Sequence, residues 1–472
     1  MVILNRRTLL KAGAVVSAYG AGLAVAGGFR TASAAPITLT AGESQALLKG
    51  TQPTRGIMTW NAMNGNSPTA NEAPQPPTLR LKKGQPFAAR LVNQLKEPTT
   101  IHWHGLRIDN KMDGVPFLTQ PYVYTGDSFD YAFTPPDAGT FWYHPHCNTL
   151  VQMGRGMTGM LIVENPNDPT FDHEVVLNLR DWRLGDDGQF IDQFKPRDAA
   201  KSGTYGTWKS ANWQEDPVYD APAGGIVRVR IAITDVTRIY SFGLDGAQAM
   251  VIALDGNPVA EPFALDRYQA GPGQRIELAL RMPETEGAIA TLANYRTSPN
   301  YPLARFRAVG ASLKRDLHDV KTLPANPVSE PVIEGAEVVP LELTATAEGA
   351  PPKESFCGSL GYNFWAINKT PWSGDTPDPM APLAELKHGK TYILRLANRT
   401  PHAHPIHLHG MSFKVLSSSQ GAVRPIFTDT YLIQPDEVAE LGLVADNLGD
   451  WVIHCHIIEH QKTGMTAFLR VV

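Results

Sequence analysis

The chain has 472 residues, with 42 lysines and arginines against 46 aspartates and glutamates, for a formal charge of −4. A mildly acidic chain is not built to hold polyanions, which argues against a nucleic-acid partner. The length is enough for three domains of ordinary size, each burying its own core.

The N-terminus reads Asn5-Arg6-Arg7-Thr8-Leu9-Leu10-Lys11, then a weakly apolar run of Ala, Gly and Val, then Ala32-Ser33-Ala34 before Ala35. This is the pattern of a twin-arginine export signal with a small-residue cleavage site. It predicts cleavage after Ala34 and a periplasmic mature protein; the alternative, an uncleaved anchor, would be a poor spanning helix. Losing Arg6, Arg7, Lys11 and Arg30, with no acids beside them, takes the net charge from −4 to −8. No other run approaches the roughly 20 apolar residues of a membrane span.

Beyond the leader, short runs rich in Val, Ile, Leu and Thr alternate with turns, and the chain holds 41 Gly and 38 Pro. That cadence predicts an all-β protein with few helices. In chain order, His102 and His104 come first, in His-Trp-His-Gly. Asp113 follows, just before Gly114. His144 and His146 form His-Pro-His, with Cys147 next. Met153, Met157 and Met160 are the only close group of methionines, expected on one strand as packing residues. The Tyr- and Trp-rich insert 203–220 is expected either to line a donor site or to be a surface loop. Segment 225–246 has the strand cadence and no histidine, and the Pro-rich stretch 323–331 reads as a linker. Then come His404, His407 and His409, and finally His454, Cys455, His456 and His460, with Met465. His173, His318, His388 and His402 stand outside these clusters and are read as surface or packing residues. Cys147 and Cys357 either pair in an oxidising compartment or stand as separate buried thiols.

An internal repeat organises these clusters. Segments 81–105 and 386–410 align without a gap at an offset of 305, with ten identities in 25 positions. The downstream parts match too, DAGTFWYHPH against DNLGDWVIHCH. The first and last domains are therefore predicted to share one fold. Where the last has His404, Cys455 and His460, the first has Thr99, Pro145 and Leu150.

If His454-Cys455-His456 lies on a strand, Cys455 faces one way and both histidines the other. One strand then feeds two metal sites. A thiolate, imidazoles and a thioether within the twelve residues 454–465 point to copper. Two His, one Cys and a weak axial Met make a blue-copper site.

With these motifs the chain resembles a three-domain, laccase-like bacterial multicopper oxidase over nearly its whole mature length. The resemblance implies three cupredoxin-like Greek-key β-sandwich domains: 35–166, 167–320 without copper ligands, and, after a linker at 321–332, 333–472 with the type 1 copper. It implies four copper ions. His404, Cys455, His460 and axial Met465 match type 1. His102 and His407 match type 2. His104, His144, His146, His409, His454 and His456 match the type 3 pair. Asp113 resembles the family's acidic residue near type 2, with a proton-relay role; the plain alternative is a turn cap. The acidic residue found after the last type 1 His in many bacterial relatives is Gln461 here, which cannot shuttle a proton as a carboxylate does. Glu459, one residue before His460, is expected on the wrong face to replace it.

The implied reaction couples one-electron oxidation of a donor to four-electron reduction of dioxygen to water, with Cys455 on the electron path. Donors in such proteins are phenols and aromatic amines, or Cu(I); the scattered 12 methionines favour an organic donor. Rival readings fit less well. A non-catalytic scaffold of this fold would not keep every ligand. A copper store needs no thiolate site wired to eight imidazoles, and a copper nitrite reductase lacks the eight-histidine cluster.

Overall fold

A computed structural model of the chain describes residues 36–63, 75–351, 353–355, 357–376 and 380–472. The export signal expected at 1–34 lies outside the described residues. Among them no helix is long and apolar enough to cross a membrane.

The strands build six sheets that pair into three sandwiches: four strands on four, then six on five, then six on five again. Strands distant in sequence lie side by side. Ile37–Ala46 runs parallel to Phe87–Asn93, and Glu337–Thr344 runs parallel to Thr391–Asn398. These are the crossovers of Greek-key sandwiches of the cupredoxin-like kind. Each sandwich closes on its own core. Leu39, Trp60, Leu91 and Trp103 fill the first. Leu177, Val229, Phe242 and Phe306 fill the second, and Leu341, Leu394, Phe413 and Trp451 the third. The strand Leu79–Lys82 shows the rule: Leu79 and Leu81 are buried while Arg80 and Lys82 face water.

Strand register carries the histidines to their places. His102 pairs with His144 across one antiparallel ladder of the first sandwich, and His407 pairs with His454 across the matching ladder of the third. Directly opposed residues have Cβ atoms roughly 5 Å apart. The sequence repeat is thus also a repeat of imidazole pairs.

Two expectations need correction. Met153, Met157 and Met160 do not share a strand: Met153 lies on the short helix Thr149–Gly154, and only Met160 lies on the strand Gly159–Glu164. The chain bends at residues 146–148, with Asn148 in the left-handed region at φ 44°, before Thr149 starts the helix. All three sulfurs are nonetheless buried. The insert 203–220 is not a surface loop, since it supplies the strand Trp208–Ala211 and its Trp208 and Trp213 pack with Trp182. The Pro-rich stretch 323–331 is fastened to the first two sandwiches, because the Asn326 amide bonds Ala138 and Gly256.

Cys147 and Cys357 form a disulfide with a sequence separation of 210. It ties the residue after His146 to the third sandwich. Closing so long a loop removes much of the unfolded chain's freedom, and losing the bridge costs about 2–5 kcal/mol. Cys147→Ser is expected to lower the denaturant midpoint of the copper-free protein accordingly. An unshifted midpoint would show the interdomain packing holds without it.

Candidate metal centre

Three side chains from three turns of the last sandwich meet around one point. His404 opens the strand His404–Leu408, Cys455 ends the strand Gly449–Cys455, and His460 sits on the short helix Ile458–Lys462. The Nδ1 atoms of His404 and His460 are 3.1 Å apart, and each is 3.6 Å from Cys455 Sγ. The outer nitrogens are occupied. His460 Nε2 donates to the Lys201 carbonyl at 2.8 Å, and His404 Nε2 bonds Thr400 Oγ1 at 2.8 Å. With Nε2 carrying the proton, both Nδ1 lone pairs point inward beside the sulfur. Met465 is fully buried in the same core, and Cys455 N–H donates to its carbonyl. Burial pushes the Cys455 thiol up, so a thiolate there requires a cation.

The other eight imidazoles gather between the first and third sandwiches. His102 stacks on His409 with ring centres 3.9 Å apart, and His104 stacks on His407 at 3.8 Å. Each stack joins the two domains. His146, His409 and His454 bring their ligand nitrogens within 4.8 Å of one another, as do His102, His104 and His144. His456 lies against His104 and His144, at 4.9 and 5.4 Å between ring centres. The sequence motifs therefore converge, although His146 and His456 lie just beyond their strand ends rather than on them.

Oxygen atoms fix the tautomers. His102 Nδ1 bonds the Asp113 carbonyl, His144 Nδ1 that of Pro145, His407 Nδ1 that of Asp429, and His454 Nδ1 that of Cys455. His409 Nδ1 donates to the Asp113 carboxylate at 2.8 Å. Their Nε2 atoms are left facing inward, whereas at His146 Nε2 meets the Gln461 amide and Nδ1 is the bare nitrogen. The Nε2 atoms of His102, His104, His144, His407 and His456 are buried with no hydrogen-bond partner among the described residues. The Nε2 atoms of His409 and His454 face each other at 3.2 Å. Bare buried nitrogens are costly, and a borderline cation accepting neutral imidazole removes that cost. The donor set thus fits copper at both places.

Burial, with the charge of neighbouring imidazoles, holds His104, His144, His146, His454 and His456 well below the ordinary histidine range. Burial likewise pushes His460 down to about 3. Neutral imidazole is the ligating form. In the unfolded chain, histidine takes up a proton near pH 6.5. Below that pH the unfolded chain binds more protons than the folded one, so acid favours unfolding. The copper-free protein is expected to lose stability as pH falls from about 6.5, measured by urea midpoints. A flat profile would mean these imidazoles are charged in the fold.

Two carboxylates serve the cluster, and only one was legible. Asp113 touches both His102 and His409. Burial pushes it up, yet those imidazoles outweigh burial and hold it below the usual carboxylate range. Asp429, overlooked in the sequence, lies 3.2 Å from His407 Nδ1 and 3.7 Å from His104 Nε2. It sits alone in a Thr- and Ile-rich strand pair, without a counterpart in the repeat. Gln461 is buried with Nε2 3.3 Å from His146 Nε2. Glu459 points away from the cluster; Thr204 donates to it from both backbone and hydroxyl.

Two multicopper oxidase family models match residues 56–168 and 349–472. The chain is similar to a crystal structure of a multicopper oxidase from Pseudomonas thermotolerans, with 38% identity and a TM-score of 0.80 over 92% of this chain and 98% of that one. It is also similar to one from Pseudomonas parafulva, with 39% identity and a TM-score of 0.79 over 93% of this chain and 100% of that one. Laccase-2 of Fomitopsis schrenkii is 28% identical, with 86% of each chain covered.

Proposed function

We propose, for a chain that belongs to the multicopper oxidase family, that it couples one-electron oxidation of a phenolic or aromatic amine donor to four-electron reduction of dioxygen to water. The observation that carries this reading is the tripeptide His454-Cys455-His456, in which the thiolate set and the eight-imidazole set share neighbouring residues. When bound, copper supplies one-electron chemistry at the thiolate set and, as three further ions, the joint capacity that dioxygen reduction needs. His404, Cys455, His460 and Met465 would hold the type 1 ion. His102 and His407 would hold type 2, and His104, His144, His146, His409, His454 and His456 the type 3 pair.

The chain's own groups divide the remaining work. Cys455 gives the shortest covalent route between the sets. The Asp113 carboxylate, shared by His102 and His409, is placed at the cluster to hand on a proton. The segment 199–204 covers His460: Lys201 takes its Nε2–H, and Trp365 Nε1 donates to Ala199. A donor therefore gives up its electron through this thin cover, by outer-sphere transfer. Met153, Met157 and Met160 are 0–3% exposed and offer no surface thioether cluster for Cu(I), which favours the organic donor.

The reading extends to the whole chain. It takes residues 1–34 as a twin-arginine signal delivering the protein to the periplasm, with domains at 35–166, 167–320 and 333–472. The deciding test is oxygen uptake by the copper-loaded protein with an aromatic diamine or a phenol, compared with Cu(I). Faster uptake with the organic donor is expected. A blue protein that consumes no oxygen with any donor would sink the oxidase reading.

A further inference from the structure

The middle sandwich contributes no histidine to either metal set, yet it reaches the cluster. Arg275 opens the strand Arg275–Arg281 of that sandwich and is 1% exposed. Its guanidinium forks onto Asp429 of the third sandwich, with Nη1–Oδ1 at 2.8 Å and Nη2–Oδ2 at 2.6 Å. Its Nε donates to the Thr140 carbonyl of the first sandwich at 3.2 Å, and Nη1 also donates to Gly273 at 3.1 Å. Asp255, from the middle sandwich, stands 3.4 Å from Nη1. One side chain therefore touches all three domains at the edge of the cluster.

The backbone beside it is shaped for close approach. Gly273 has φ +90°, and a Cβ there would meet the His456 ring at 3.0 Å and His104 at 3.2 Å. Gly105, the residue after His104, has φ +86°, and a Cβ there would strike the Arg275 guanidinium at 2.2 Å. Neither position has room for a side chain.

A buried ion pair is weak evidence for stability, because an apolar replacement of similar volume is often no worse. Its geometry matters more here. Asp429 lies close enough to His104 and His407 for the three to form a potential ligand set. The fork occupies both of its oxygens. Thr430 Oγ1 adds a bond to Oδ1 at 2.8 Å and stands 3.0 Å from His407 Nδ1. A single ammonium cannot hold two carboxylate oxygens in this planar way.

We infer that Arg275 is a positioning residue for the trinuclear cluster: its fork on Asp429 orients His407 and keeps that carboxylate from competing as a copper ligand. This rests on the copper assignment above. The middle domain, which holds no copper, thereby sets the type 2 position.

The test uses the full copper-loaded protein and Arg275→Lys, with Asp429→Asn as the partner variant. Type 1 and type 2 signals are integrated separately by electron paramagnetic resonance during titration with a copper chelator. In both variants the type 2 signal should be lost or altered at ~10–100-fold weaker chelation than in the parent, the effect usual for a group that orients a metal ligand. The type 1 signal should persist. Glu277→Gln is the control, because Glu277 bonds Thr140 across the same interface, and Arg228 and Arg230 within the middle sandwich, without touching a cluster histidine. Parent-like type 2 retention in Arg275→Lys would overturn the assignment. So would equal loss of both signals in the two variants, or the same selective loss in Glu277→Gln. Failure of the parent to bind copper would instead defeat the copper assignment itself.

Discussion

Cys455→Ser is expected to abolish the blue colour and cut turnover by about a thousandfold or more, equivalent to at least ~4 kcal/mol on the barrier. The hydroxyl is a harder donor than the thiolate and does not suit an ion that must cycle through Cu(I). Cys455 is fully buried between His404 and His460, so no other sulfur can take its place from solvent. His454 and His456 keep their own contacts, and the cluster should still take up copper. Visible absorption, copper content and oxygen uptake together check this. Turnover within about tenfold of the parent would mean that electrons reach the cluster by another route.

Asp113→Asn is expected to slow oxygen reduction by ~10²–10⁴, the usual worth of a placed proton-transfer group, while the blue band stays. The amide keeps the carboxylate's shape and can still accept the His409 Nδ1–H, so copper should remain bound. It cannot pick up and release a proton. Asp113 makes its contacts with His102 and His409 and none with the thiolate set, which is why colour and turnover should separate. Stopped-flow reoxidation of the reduced protein measures the affected half-reaction directly. An unchanged rate would remove Asp113 from the mechanism, and the buried Gln461 beside His146 leaves no carboxylate in that place to substitute for it.

The sequence made the converging histidines legible because a strand's two-residue period turns His-x-His into a paired surface. The internal repeat then showed which pairs belonged together. Asp113 stood out by its position soon after such a pair. Asp429 and Arg275 did not, because they meet across 154 positions and neither sits in a pattern of its own. The cover over His460 was invisible for a different reason. It is made by the Lys201 backbone carbonyl, which every residue type possesses. The helix that carries Met153 has only 6 residues and is too brief for periodicity to separate from a strand.

The pairing of two distant segments around one cluster also has a consequence for timing. His102 and His104 are made well before His407, His409, His454 and His456. A chain made only through the middle sandwich cannot assemble the stacked pairs of His102 on His409 and His104 on His407. Copper retained at the cluster would therefore report that the first and third sandwiches have docked correctly. A cell could sort intact molecules from damaged ones by metal occupancy alone.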